Sequence, residues 1–133
     1  MPVSYLPPFA FVKQKYKITA NADRDRVTLM HRDLLDIVKL LLRGVTVDEP
    51  WYLAQYPDVS EAIHAGMFKS AKHHFVENGY FEGRRPALFE VDEEWYLTTY
   101  PDVADGIEKG QIVSATEHFL SNGYAEGRLP SEY

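Results

Sequence analysis

The stretch Val47-Asp48-Glu49-Pro50-Trp51-Tyr52-Leu53 returns 44 residues later as Val91-Asp92-Glu93-Glu94-Trp95-Tyr96-Leu97. Tyr56-Pro57-Asp58-Val59 returns at the same offset as Tyr100-Pro101-Asp102-Val103. Ser70-Ala71, His74-Phe75, Asn78-Gly79-Tyr80, Glu82-Gly83-Arg84 and Pro86 also have counterparts there, and 23 of 40 aligned positions are identical without an insertion. Self-similarity at a fixed period of this length is the mark of an array built from one repeated supersecondary unit.

The residues of one unit specify short helices. Asp48 and Asp92 are good N-cap residues, and Pro50 is tolerated in a first helical turn. Tyr56 and Tyr100 precede prolines, which biases them out of the α region and ends the first helix. Pro57 opens a second helix, with Asp58 and Glu61 near its positive end, and Gly66 closes it. Ser70 caps a third helix over 71–78, and Gly79, Gly83 and Pro86 end the unit. Helices this short are unstable alone, so packing must hold them. The expected core is Trp51, Leu53, Tyr56, Val59, Ile63, Phe75 and Val76 in the first copy. In the second it is Trp95, Leu97, Tyr100, Val103, Ile107, Phe119 and Leu120.

The first third is of another kind. Val12, Tyr16 and Ile18 alternate with Lys13, Lys15 and Lys17, which reads as an extended arm or a lysine-guarded edge strand after Pro7-Pro8. A helix is expected over about 28–43, with Met30, Leu34, Ile37, Val38 and Leu41 on one face. Leu35, Leu40 and Leu42 widen that face, so the helix is expected to be buried on more than one side. The fold expected is all-α: an N-terminal extended arm and capping helix (1–46), then helical repeats over 47–90 and 91–133. Two repeats are few for a solenoid, so the long helix should cap the array, or the chain should self-associate.

Composition narrows the function. The 133 residues carry a net charge of −6 and no cysteine, which excludes disulfides, thiol nucleophiles and Cys-ligated metals. Net acidity argues against nucleic acid as a partner. Residues 1–46 hold eight Lys and Arg against four acids, whereas 47–133 hold six against sixteen. Such asymmetry suggests internal complementarity or head-to-tail contact between subunits. Leu34–Leu42 is too short and too charged to span a membrane, so no membrane insertion is expected. The N-terminal stretch is not a standard signal peptide. The expected location is cytoplasmic, or within an extracellular or particle assembly.

Several side chains are candidate site residues by their chemistry. Tyr52 and Tyr96 invite sugar stacking, because neither can share a core face with its tryptophan neighbour. Arg84 and Arg128, each flanking a glycine with Glu82 or Glu126, suit an anion or sugar-acid site, or else a fixed contact with a repeat acid. His74 and His118 lack any metal-ligand spacing and read as structural histidines bonded to a neighbouring turn. Asn21-x-Asp23-x-Asp25 begins like a calcium loop, but Arg26 and Arg32 stand where glycine and the bidentate glutamate belong. Tyr5, Phe9, Phe11, Lys13, Lys15 and Lys17 form a candidate partner-binding arm. Neither a catalytic constellation nor a cofactor or metal motif is present in the sequence, so an enzyme is not expected.

The pattern D-x-x-W-Y-L-x-x-Y-P-D-V followed by S-A-x-x-H-F-x-x-N-G-Y-x-E-G-R-x-P resembles a tandem helical repeat of bacterial polysaccharide-related glycosyltransferases and of large surface or secreted proteins. It covers 47–130. The resemblance implies an accessory role in a cell-surface or polysaccharide setting. The expected function is a non-enzymatic binding or assembly module that engages a protein partner or itself. The alternatives are a direct carbohydrate-binding protein contacting a surface polysaccharide, and a structural subunit of a phage-like or surface particle docking through its arm.

Overall fold

The structure is a computed structural model that describes residues 7–19 and 25–133. Tyr5, Asn21 and Asp23 lie outside the described residues. The architecture is all-α. The helices are α1 (Phe9–Lys15), α2 (His31–Leu42), α3 (Glu49–Gln55), α4 (Pro57–His64), α5 (Ala71–His74), α6 (Glu93–Thr99), α7 (Pro101–Glu108) and α8 (Ala115–His118). The chain divides into two compact units, 1–87 and 88–133.

In the first unit, Asp48 accepts a hydrogen bond from the Trp51 amide at 3.2 Å and so caps α3. The Tyr56-Pro57 pair breaks α3 from α4, with Tyr56 at φ −125°, ψ 77°, off the helical region as expected before proline. Ser70 caps α5 by accepting from the His73 amide. The third helix does not stop at Asn78. It continues through Phe75–Gly79 as a π turn, in which the Tyr80 amide donates to the Phe75 carbonyl at 2.9 Å. Such widened turns need a local cause. The turn ends on Gly79, where a Cβ would collide with the Tyr52 hydroxyl.

The core of this unit is Leu42, Tyr52, Val59, Ala71, Phe75 and Val76, with Val38, Val45, Trp51, Tyr56 and Ile63 packed on it. The α2 helix thus covers the first repeat through Val38 and Leu42, and Lys39 adds an ion pair to Glu77 at 3.0 Å. It is not buried on several sides: Met30, Leu34 and Leu41 are exposed. The reason is that only one stripe of a helix can meet a single packed surface.

The expected extended arm is corrected. Phe9–Lys15 is helical, and Val12 is its buried residue. The lysine alternation misled because two other spacings share the same residues. Lys13 lies over the Phe9 ring at 5.8 Å and Lys15 over the Phe11 ring at 5.9 Å, both four-residue pairs on a helix surface. Pro8 supplies an extended N-cap, and Lys17 ends the element at φ 52°, a left-handed residue where helices commonly terminate.

The second unit repeats the design with its own core of Tyr96, Val103, Ala115 and Phe119. Phe89, Val91, Trp95, Tyr100, Ile107 and Leu120 pack against it. Asp92 caps α6, Ser114 caps α8, and Phe119–Gly123 is again a π turn, with the Tyr124 amide donating to the Phe119 carbonyl at 2.8 Å.

Candidate functional site

Each repeat concentrates its polar motif residues in one place. Glu82 and Arg84 are joined by Gly83, which takes φ +78° and turns the chain back. The Arg84 amide then donates to the Gly79 carbonyl at 2.9 Å. From there the Arg84 fork reaches Asp58 at the start of α4, with Nη1 donating to Oδ1 at 2.9 Å and Nη2 to Oδ2 at 2.7 Å. Its Nε donates to Glu82 at 2.7 Å, and its guanidinium lies 4.9 Å from the Tyr56 ring centre. The second repeat matches closely. Arg128 donates to Asp102 at 2.9 and 2.7 Å and to Glu126 at 2.8 Å, and it lies 4.9 Å from the Tyr100 ring.

The electrostatics follow from that geometry. Hydrogen bonding to Arg84 first, and its charge after, hold the Asp58 carboxyl below its ordinary value. Arg128 does the same to Asp102. A planar guanidinium with its fork on one carboxylate, its Nε on another and its face on an aromatic ring is held in a single orientation. Arg84 and Arg128 are therefore fixed contacts to repeat acids.

Beneath this layer lies a tyrosine–histidine pair. Tyr52 and Tyr96 are fully buried, each at 0% exposure. The expectation that they stand exposed for sugar stacking is corrected. At adjacent helical positions one of Trp51 and Tyr52 must point inward, and the smaller ring does. Tyr52 meets Tyr56 at 4.8 Å and Phe75 at 6.1 Å between ring centres, both edge-on, the favoured aromatic arrangement. Its hydroxyl is hydrogen-bonded to His74 Nδ1 at 2.9 Å, and that of Tyr96 to His118 Nδ1 at 2.8 Å. Burial pushes the Tyr52 and Tyr96 phenols up from their ordinary value. Burial first, and the Arg84 charge second, push His74 below its own. Both members of the first pair are thus held neutral. A neutral phenol bonded to a neutral imidazole satisfies two buried polar groups at once.

The sequence brought Glu82 with Arg84, and Glu126 with Arg128, to notice. It did not single out Asp58, Asp102, Gly79 or Gly123 as their partners. The available signal was that Asp58 and Arg84 are 26 residues apart and Asp102 and Arg128 are 26 apart, inside a motif that repeats whole.

The arm candidates are not part of this cluster. Phe9 and Phe11 are 75% and 46% exposed on α1, and Lys13, Lys15 and Lys17 are exposed beside them. An open groove of about 450 Å³ runs past Phe9, Lys13, Lys17 and Ile18. Among the described residues there is no grouping of three or more His, Asp or Glu side chains able to hold a metal ion. No helix among them is long and apolar enough to cross a membrane. Comparison of the chain with protein-family models, curated proteins and solved structures gave no match.

Proposed function

We propose that the chain is a non-enzymatic binding and assembly module that meets its partner through α1, in a bacterial cell-surface or polysaccharide setting. The carrying observation is the contrast between two groups of side chains. The polar residues of each repeat are spent on one another, as Arg84 on Asp58, Glu82 and Tyr56, and Tyr52 on His74. Helix α1 instead presents Phe9 and Phe11 to solvent with three lysines around them. Exposed aromatics framed by charge are the usual makings of a protein contact. The polysaccharide setting is supported by the resemblance of the repeated motif.

Cross-linking with mass spectrometry in extract of the native host tests this reading. Partner peptides should be joined to Lys13, Lys15 or Lys17, and the links should vanish in Phe9→Ala/Phe11→Ala. Turnover of an activated sugar by the purified chain, or links that ignore α1, would overturn it.

A further inference from the structure

We infer that the partner of α1 is a second copy of this chain: α1 of one copy seats on an acidic, apolar corner of the 88–133 unit of the next, joining copies head to tail. This rests on the assembly reading above and supplies the partner it left open.

The charge of the two units is the first argument. Unit 1–87 holds twelve Lys and Arg against ten acids, whereas unit 88–133 holds two against ten. Both bases of the second unit are engaged inside it, Arg128 by Asp102 and Glu126, and Lys109 by Asp105. Its remaining acids are therefore uncompensated by that unit. Surfaces of opposite charge steer association and fix which surface meets which.

The second argument locates the corner. The Asp92 amide donates to the Pro130 carbonyl at 3.0 Å, which joins the stretch that carries Glu90 and Glu94 to the one that carries Leu129 and Glu132. Leu88 and Leu129 are 60% and 55% exposed there, and Glu90, Glu94 and Glu132 are exposed with them. The first repeat makes the same backbone bond, from Asp48 to Pro86. At the positions of Leu88, Glu90, Glu94 and Leu129, however, it carries Gly44, Thr46, Pro50 and Arg85. The two repeats, otherwise so alike, diverge here toward leucine and glutamate in the second copy alone. Lysines and exposed phenylalanines on α1, with the groove beside Phe9 and Ile18, are the complement in both charge and apolarity. The matching corner of the first repeat, which carries Arg85, would repel α1.

The contact is heterologous. It leaves one free α1 and one free corner at the ends, so copies add in an open series unless the rotation closes a ring. Sedimentation velocity on the full chain tests this over concentration and salt. The wild type should associate as concentration rises and dissociate as salt rises, because exposed charges are screened within about 8 Å at physiological ionic strength. Lys13→Glu/Lys15→Glu/Lys17→Glu should weaken association about tenfold or more, as should Glu90→Lys/Glu94→Lys/Glu132→Lys. The decisive arm mixes the two variants. The second keeps a native α1 and the first a native corner, and their substituted surfaces are again opposite in charge, so an equimolar mixture should associate more strongly than either variant alone. All these positions are exposed, and circular dichroism of each variant checks its fold.

A wild type that stays monomeric at low salt overturns the self-docking. If cross-links from α1 to another host protein persist in that case, the assembly reading stands and only the partner is wrong. If they are absent too, both fall. A symmetric dimer indifferent to the 88–133 substitutions, or a monomer that binds anionic vesicles through α1, also overturns the inference.

Discussion

The Arg84 guanidinium meets both oxygens of Asp58, at 2.9 and 2.7 Å, and Arg128 meets Asp102 at the same two distances in the second repeat. The bond ties the last turn of a repeat to the start of its second helix. Arg84 is 22% and Asp58 62% exposed, so screening by water keeps the pair modest. Lysine cannot reproduce the fork, the Nε bond to Glu82 and the stacking on Tyr56 together. Arg84→Lys should cost about 1 kcal/mol in urea unfolding. A double-mutant cycle with Asp58→Asn should show coupling, and additive losses would mean the bidentate geometry contributes nothing.

Gly79 and Gly123 are required by close approach. A methyl group at either would strike the tyrosine hydroxyl beneath it. Gly79→Ala should cost about 1–3 kcal/mol, the range for overpacking a core. Removing the obstructing atom should restore part of that loss. The pair Gly79→Ala/Tyr52→Phe should therefore be less destabilised than the sum of its single variants, and strict additivity would contradict the collision.

Tyr52→Phe by itself should be destabilising although it keeps the ring. It strips His74 Nδ1 of its 2.9 Å partner in a buried site, and such a loss costs about 1–3 kcal/mol. Thermal unfolding of Tyr52→Phe beside Tyr56→Phe separates this from a generic loss of a hydroxyl. The Tyr56 hydroxyl accepts from the Arg85 amide at 3.1 Å in a less buried place, and its removal should cost less.

Stability should fall with acid in two windows. His74 is held below its ordinary value of 6.5, so the unfolded chain binds its proton first. Stability from the neutral ring is whole above about pH 6.5 and is lost as the pH drops from there through the folded value. Asp58 and Asp102 are held below 3.8. Their contribution is whole above about pH 4 and is lost in the lower window as the pH falls through their folded values. Urea midpoints between about pH 8 and pH 3 should show both. His74→Gln should abolish the upper slope and leave the lower one, and a slope that survives belongs to another histidine.

Much of the helical design was open to reading from sequence because it is local. Asp48, Ser70 and the Tyr-Pro pairs act on their nearest neighbours, and these are the caps and breaks observed. Which of two adjacent aromatics faces inward is not local. Trp51 and Tyr52 sit about 100° apart on α3, and the choice is made by Phe75 and Gly79, more than twenty residues on. For the same reason Arg84 was visible as a candidate while Asp58 was not: their pairing depends on the turn at Gly83. Helix α1 is ambiguous in sequence because three lysines at every second position satisfy a strand pattern, whereas Phe9 with Lys13 and Phe11 with Lys15 satisfy a helical one.

The π turn also governs how this protein ages. Asn78-Gly79 and Asn122-Gly123 are the dipeptides most prone to cyclise in a free chain, where the glycine amide nitrogen attacks the asparagine carboxamide, ammonia leaves and water later opens the ring. Here each glycine is buried and held in helical backbone under a tyrosine hydroxyl. The backbone there is not free to turn as the ring closure requires. Isoaspartate should accumulate at these two sites only as fast as each repeat opens, so stored protein carries a chemical record of its own unfolding, repeat by repeat.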